Sequence, residues 1–209
     1  MQRFNVALAL LIVLVLSAFQ STSSDGKANI KPAMIASTLE DETVISSGYV
    51  YVNNSKSPFI LRASLNNLND ARGFIIDLGC YGVLSSSRVL DDGSIVAVGY
   101  VYTRANGYDI LVTRIKNDSQ VLWAYALGGE NHDIGVDVTS VNNKIIVAGY
   151  SYSFGFKGMK ESNIIVLKMD LSGKILESRV MGTEVYDDFV RKVYKTAEGD
   201  LLLLGETWS

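Results

Sequence analysis

The chain has 209 residues, 48 % of them hydrophobic and 20 % charged, with a formal charge of −3. Acidic and basic side chains are intermixed and no Lys/Arg-rich run occurs, which argues against nucleic acid or an anionic membrane surface as partner. A body of this size buries enough surface to hold a core without staples, and the single cysteine, Cys80, excludes an internal disulfide. Two prolines, 18 glycines and 11 tyrosines, with abundant Ser and β-branched residues, suit an all-β chain with many tight turns.

The N-terminus reads as a targeting segment. Arg3 supplies a short positive end, Val6 to Leu16 is unbroken apolar sequence, and Ser17 to Ser24 is small and polar. That is the order of regions in a secretory signal peptide. Residues 1–23 are therefore expected to direct export and place the protein outside the cell or on its surface. The apolar run of 11 residues is short of the roughly 20 that span a bilayer. The alternative is an uncleaved anchor, with residues 4–19 holding the chain to the membrane. Residues 24–39 read as a lead-in segment.

From residue 40 onward the chain repeats. Gly48-Tyr49-Val50-Tyr51, Gly99-Tyr100-Val101-Tyr102 and Gly149-Tyr150-Ser151-Tyr152 each end an apolar run, and Gly205-Glu206-Thr207-Trp208 is an altered fourth copy. Asp109 to Lys116 aligns without a gap on Asn163 to Asp170, and the same offset pairs Gly128 with Gly182 and Asp133 with Asp187. A period of about 50 residues marks an array of supersecondary units, commonly propeller blades. The units run roughly 40–80, 81–130, 131–182 and 183–209, the last partial.

Each unit divides into four short strands, which in the third are 134–141, 144–152, 162–170 and 174–181. Asn142-Asn143, Asp92-Gly93, Glu198-Gly199 and Ser172-Gly173 supply residues that tolerate the positive φ of tight turns. The second strands, residues 94–99, 144–149 and 200–205, are nearly continuous apolar runs, as expected of strands covered on both faces. The glycine ending each run fits a bulge or a close backbone approach.

Asp109 to Arg114, Trp123, Leu127-Gly128-Gly129, Asp133-Ile134-Gly135 and Ile146 to Tyr150 resemble the β-propeller repeats of secreted and surface proteins in bacteria and archaea. The resemblance covers roughly residues 40 to 209. Glu177 and Gly182-Thr183 depart from it, where such repeats carry a Trp and Gly-Gly. It implies an all-β, propeller-like array of four-stranded antiparallel blades and carries no catalytic residues. About three and a half blades are present, an incomplete ring. Three arrangements fit that count: a tight ring closed by N-terminal strands, self-association through an open edge, or a shortened remnant of a longer propeller.

Little of the sequence points to chemistry. Each Tyr-x-Tyr pair places two rings on one strand face. Tyr49, Tyr51, Tyr100, Tyr102, Tyr150 and Tyr152 thus read either as packing between blades or as an aromatic track for a carbohydrate or protein partner. Phe154 and Phe156, in the Gly-rich connection 153–161, extend that candidate surface. His132 reads as a loop residue, Cys80 as a small buried side chain at a strand end, and the acidic residues as turn and backbone partners. Asn53 and Asn117 begin N-glycosylation patterns. No catalytic, cofactor or metal constellation is present: there is no Gly-rich phosphate loop, nucleophile elbow or His pair. The expected function is an exported binding or surface-structural protein. The alternative is a propeller enzyme of hydrolase, lyase or dehydrogenase class, with its site at a rim or funnel.

Overall fold

The computed structural model describes residues 32–40, 42–67, 71–104, 107–116, 120–155 and 161–208. Residues 1–31, with the export segment and most of the lead-in, lie outside these, as do Asn117 and Phe156.

The described chain is all-β. The first sheet holds β1 (Pro32–Glu40), β2 (Thr43–Val52), β3 (Ser55–Ser64) and β4 (Arg72–Ile75). The second holds β5 (Gly82–Val89), β6 (Ile95–Thr103), β7 (Gly107–Ile115) and β8 (Val121–Leu127). The third holds β9 (Asp133–Val141), β10 (Lys144–Ser151), β11 (Asn163–Met169) and β12 (Ile175–Met181). The last is two-stranded, β13 (Asp188–Lys195) with β14 (Leu201–Thr207). Each sheet is an antiparallel meander whose neighbours follow chain order, so the array is propeller-like, with three full blades and half of a fourth. The first strands pack in succession, β1 on β5, β5 on β9 and β9 on β13, and so lie innermost; β13 has no comparable packing against β1. The described array is an open arc.

The four strands expected in the third unit are found to within two residues. The first unit differs, because β1 begins at Pro32, inside the segment read as lead-in. Its Met34 is only partly covered and Ile35 and Leu39 are exposed, so the strand has no fully buried residue. Its ladder to β2 from Pro32↔Val50 to Glu40↔Thr43 holds it in place.

The recurring glycine has one cause in all four units. Each innermost strand carries a bulge opposite it, between Met34 and Ala36, Leu84 and Ser86, Gly135 and Asp137, and Val190 and Lys192. The bulge turns a carbonyl inward. A β-carbon on Gly48 or Gly99 would stand 1.9 Å from the carbonyl oxygen of Ala33 or Val83, and one on Gly149 or Gly205 only 2.3 or 2.4 Å from that of Ile134 or Phe189. No side chain fits there.

Apolar side chains of adjacent blades form the core, as where Val98, Ile110 and Val112 meet Val138, Ile145 and Val147. Polar fasteners cross the same seams. Buried Asp137 on β9 accepts from Ser86 Oγ at 2.5 Å and from the Val193 amide at 3.0 Å, joining three innermost strands. At the turn end, Arg114 binds Asp92 and donates to Ser94 Oγ at 2.9 Å and to the Leu171 carbonyl at 2.6 Å, where Trp123 Nε1 also donates.

The expectation of a doubly covered second strand holds for β6 and β10 but not for β14. Leu202 and Leu204 are 57 % and 56 % exposed, whereas their counterparts Ile146 and Ala148 are buried. Cys80 is likewise exposed rather than buried. It follows the positive-φ residue Gly79 in the connection before β5, so its side chain projects from a turn.

Candidate functional site

The bulge and its glycine fix where the tyrosines go. Past the glycine, β2, β6 and β10 run to one end of the array, where the second strands finish and the first and third begin. The following hairpins keep them there; Asn53 and Asn54 (φ 49° and 64°) close a two-residue turn directly after Val52.

Two ring clusters stand on this end. In the first, Tyr49 and Tyr51 meet edge to face with centroids 5.6 Å apart. Lys56, across the β2–β3 hairpin, holds Nζ 4.2 Å from the Tyr49 ring and 5.6 Å from the Tyr81 ring. Tyr81 adjoins Tyr100 and Tyr108 at 6.4 and 6.0 Å. Tyr108 is the hub: it also touches Tyr100 at 5.2 Å, Tyr102 at 5.6 Å and His132 at 5.1 Å. In the second cluster Tyr150 meets Tyr152 at 6.3 Å and Phe189 at 4.9 Å, and Phe189 meets Trp208 at 6.2 Å.

One backbone bond recurs beneath the rings. The Tyr102, Tyr152 and Trp208 amides donate to the carbonyls of Tyr81, His132 and Asp187 at 2.8, 2.9 and 3.0 Å. Trp208 thus holds the place of the second tyrosine in its unit, and Asp187 that of His132. This corrects the sequence alignment, which set Tyr186 opposite His132 and Asp187 opposite Asp133. The connection before β13 is one residue longer than the connection before β9, so Asp188 is the counterpart of Asp133.

Electrostatics here favour neutral phenols. Burial, then the neighbouring Tyr81, pushes Tyr100 up to about 12. Tyr150 is raised by burial and then by Tyr152. Partial burial pulls Lys56 down, but the Tyr81 hydroxyl and the surrounding phenols outweigh it and leave the ammonium above its ordinary value. His132 Nδ1 accepts the Tyr108 amide at 3.1 Å. Glu206 is held low by Arg191, whose guanidinium also stands over the Phe189 ring at 5.8 Å.

The aspartates below the rim are architectural. Asp133 Oδ2 accepts from the Gly129 amide at 2.8 Å and Ser153 Oγ at 2.7 Å, and Oδ1 accepts from Ser151 Oγ. Asp188 repeats this by accepting the Thr183 amide at 2.6 Å. Asp109 and Asp133 converge on Gly128 from inside the blade junction, and both are buried. Among the described residues no three His, Cys, Asp or Glu side chains are grouped to hold a metal. No described helix is long and apolar enough to cross a membrane.

All six sequence-selected tyrosines therefore stand on one end. Tyr51 and Tyr102 are half-exposed at the outside of the first cluster, and Tyr49, Tyr100 and Tyr150 are partly covered by their neighbours. Phe154 is exposed, its amide donating to Ser151 Oγ at 2.8 Å, and it joins neither cluster among the described residues. Sequence reasoning missed Lys56, Tyr81, Tyr108, Phe189 and Trp208 as members. Tyr108 was within reach, since it lies directly opposite Tyr102 in the β6–β7 ladder.

No protein-family model matches the chain, and no curated protein matches it. Among solved structures it is similar to a GH43 endo-arabinanase from Bacillus licheniformis, at 14 % identity and a TM-score of 0.42, over 84 % of this chain and 72 % of that one.

A groove of about 650 Å³ opens elsewhere, between the third blade and β14. Ile146, Val166, Met181 and Leu203 form its floor and Lys144, Lys168 and Arg179 line it. It lies toward the turn end, against the β14 face that bears Leu201 and Leu203, and shares no residue with the tyrosines.

Proposed function

We propose that this is an exported, non-catalytic binding protein whose working surface is the tyrosine-bearing end of the array, and whose ligand is a carbohydrate. The observation carrying this reading is the ring cluster formed by Tyr49, Tyr81, Tyr100, Tyr102 and Tyr108, with Lys56 against Tyr49 and Tyr81 and with Tyr51 and Tyr102 half-exposed at its outside. A sugar ring offers one face of C–H groups and a girdle of hydroxyls. Flat phenyl faces bearing hydroxyls, beside one ammonium, match both features.

Affinity electrophoresis of the protein through gels containing soluble neutral glycans (xylan, mannan, mixed-linkage glucan, arabinan) tests the reading. Retardation in at least one gel is expected, with the Tyr51→Ala/Tyr102→Ala double variant binding about tenfold more weakly at an unchanged melting temperature. Unaltered binding by that variant, or free migration in every gel, overturns it. Export is checked separately, by fractionating cells that express the full chain.

A further inference from the structure

We infer that the ligand is a linear polymer lying across both aromatic clusters, so that one chain is gripped at two stacking sites along the arc. This rests on the carbohydrate-binding reading above and adds the form of the ligand. A compact ligand would need one cluster. Here the same fixture recurs along the same end, from equivalent positions: Tyr102, Tyr152 and Trp208 occupy one structural place in their units, each fastened by the same backbone bond to the preceding connection, with Tyr102 in the first cluster and Trp208 at the far end of the second. Both present exposed rings, 46 % for Tyr102 and 66 % for Trp208. His132 lies between the clusters, its ring against Tyr108 and its carbonyl taking the Tyr152 amide, so the surface is continuous from one to the other. A row of chemically similar rings at equivalent positions of a repeat matches a ligand that is itself a repeat.

The two clusters predict a dependence on chain length, because a ligand engaging one site gains the second intramolecularly, by roughly 100-fold or more. Isothermal titration would compare the disaccharide with oligomers up to the decasaccharide of whichever glycan retards the protein. The decasaccharide is expected to bind about 100-fold more tightly than the disaccharide. Trp208→Ala and Tyr102→Ala should each remove most of that gain, while neither abolishes disaccharide binding, because either cluster alone accommodates it. Equal affinity at all lengths, or a decasaccharide affinity untouched by Trp208→Ala, overturns the two-site arrangement and leaves the binding reading standing. Failure of every glycan to bind overturns both.

Discussion

Asp109 Oδ1 lies 2.1 Å from the point that a β-carbon on Gly128 would occupy. The oxygen is buried without a hydrogen-bond partner, packed against the glycine methylene. The next unit repeats the relationship, with Asn163 Oδ1 2.5 Å from the same point on Gly182 and likewise unpartnered. The glycine after the fourth strand therefore makes room for a polar side chain of the third. Gly128→Ala should cost about 3 kcal/mol in urea unfolding, since Asp133 Oδ2 also stands 2.7 Å from that β-carbon. Combining it with Asp109→Ala should recover about 1 kcal/mol of the sum of the single costs. Strict additivity would show that the Asp109 carboxylate is not what excludes the side chain.

The bulge glycines should be still less tolerant. Gly99→Ala drives a methyl group into the Val83 carbonyl, which the β5–β6 ladder holds rigidly. A loss of about 3 kcal/mol or more is expected, together with weaker ring-dependent binding, because Tyr100 follows immediately. A thermal melt and the glycan gel together read both effects.

The second-strand leucines offer a contrast within one repeat. Ile146→Ala empties a site in the seam with Val190 and Val193 and should cost about 2–5 kcal/mol. Leu202→Ala, at the equivalent place on β14, should stay within about 0.5 kcal/mol. Paired denaturation curves decide it; equal costs would mean that β14 is covered in solution.

Titration to high pH gives a further handle on the rim. The Tyr100 pKa in the folded protein is raised to about 12, against roughly 10 for an unfolded tyrosine. The native state then holds a proton that the unfolded state has released, so this contribution is intact below pH 10 and fades as pH rises from about 10 to 12. Tyr150 is raised as well, so phenolate absorbance should show tyrosines titrating late, with the fraction titrating near pH 12 removed by Tyr100→Phe. Its persistence in that variant would place the late titration on another residue.

Much of this was legible in the sequence because repetition multiplies weak signals. Strand positions in the third unit, the Asn142-Asn143 turn and the glycine at each bulge could be read from pattern alone. β1 could not, since its apolar residues Met34, Ile35 and Leu39 do not alternate with polar ones, and its pairing with β2 is decided by tertiary contact. Cys80 was misplaced because a position at a strand end does not carry burial with it. The rim was half legible: Tyr-x-Tyr announced itself, whereas Lys56, Tyr81 and Phe189 join through space from other strands and leave no local trace.

Every hydrogen-bonded strand pair described above joins two consecutive strands, and every seam joins consecutive sheets. The chain thus never has to wait for a distant segment before a ladder can form. A domain wired this way can assemble as it is made, each blade templating the next from the N-terminal side, and can open from the thinly covered β13–β14 end without disturbing the first two sheets. Amide exchange would then follow a gradient along the arc, fastest at β14 and slowest at β6 and β10, where both faces are covered.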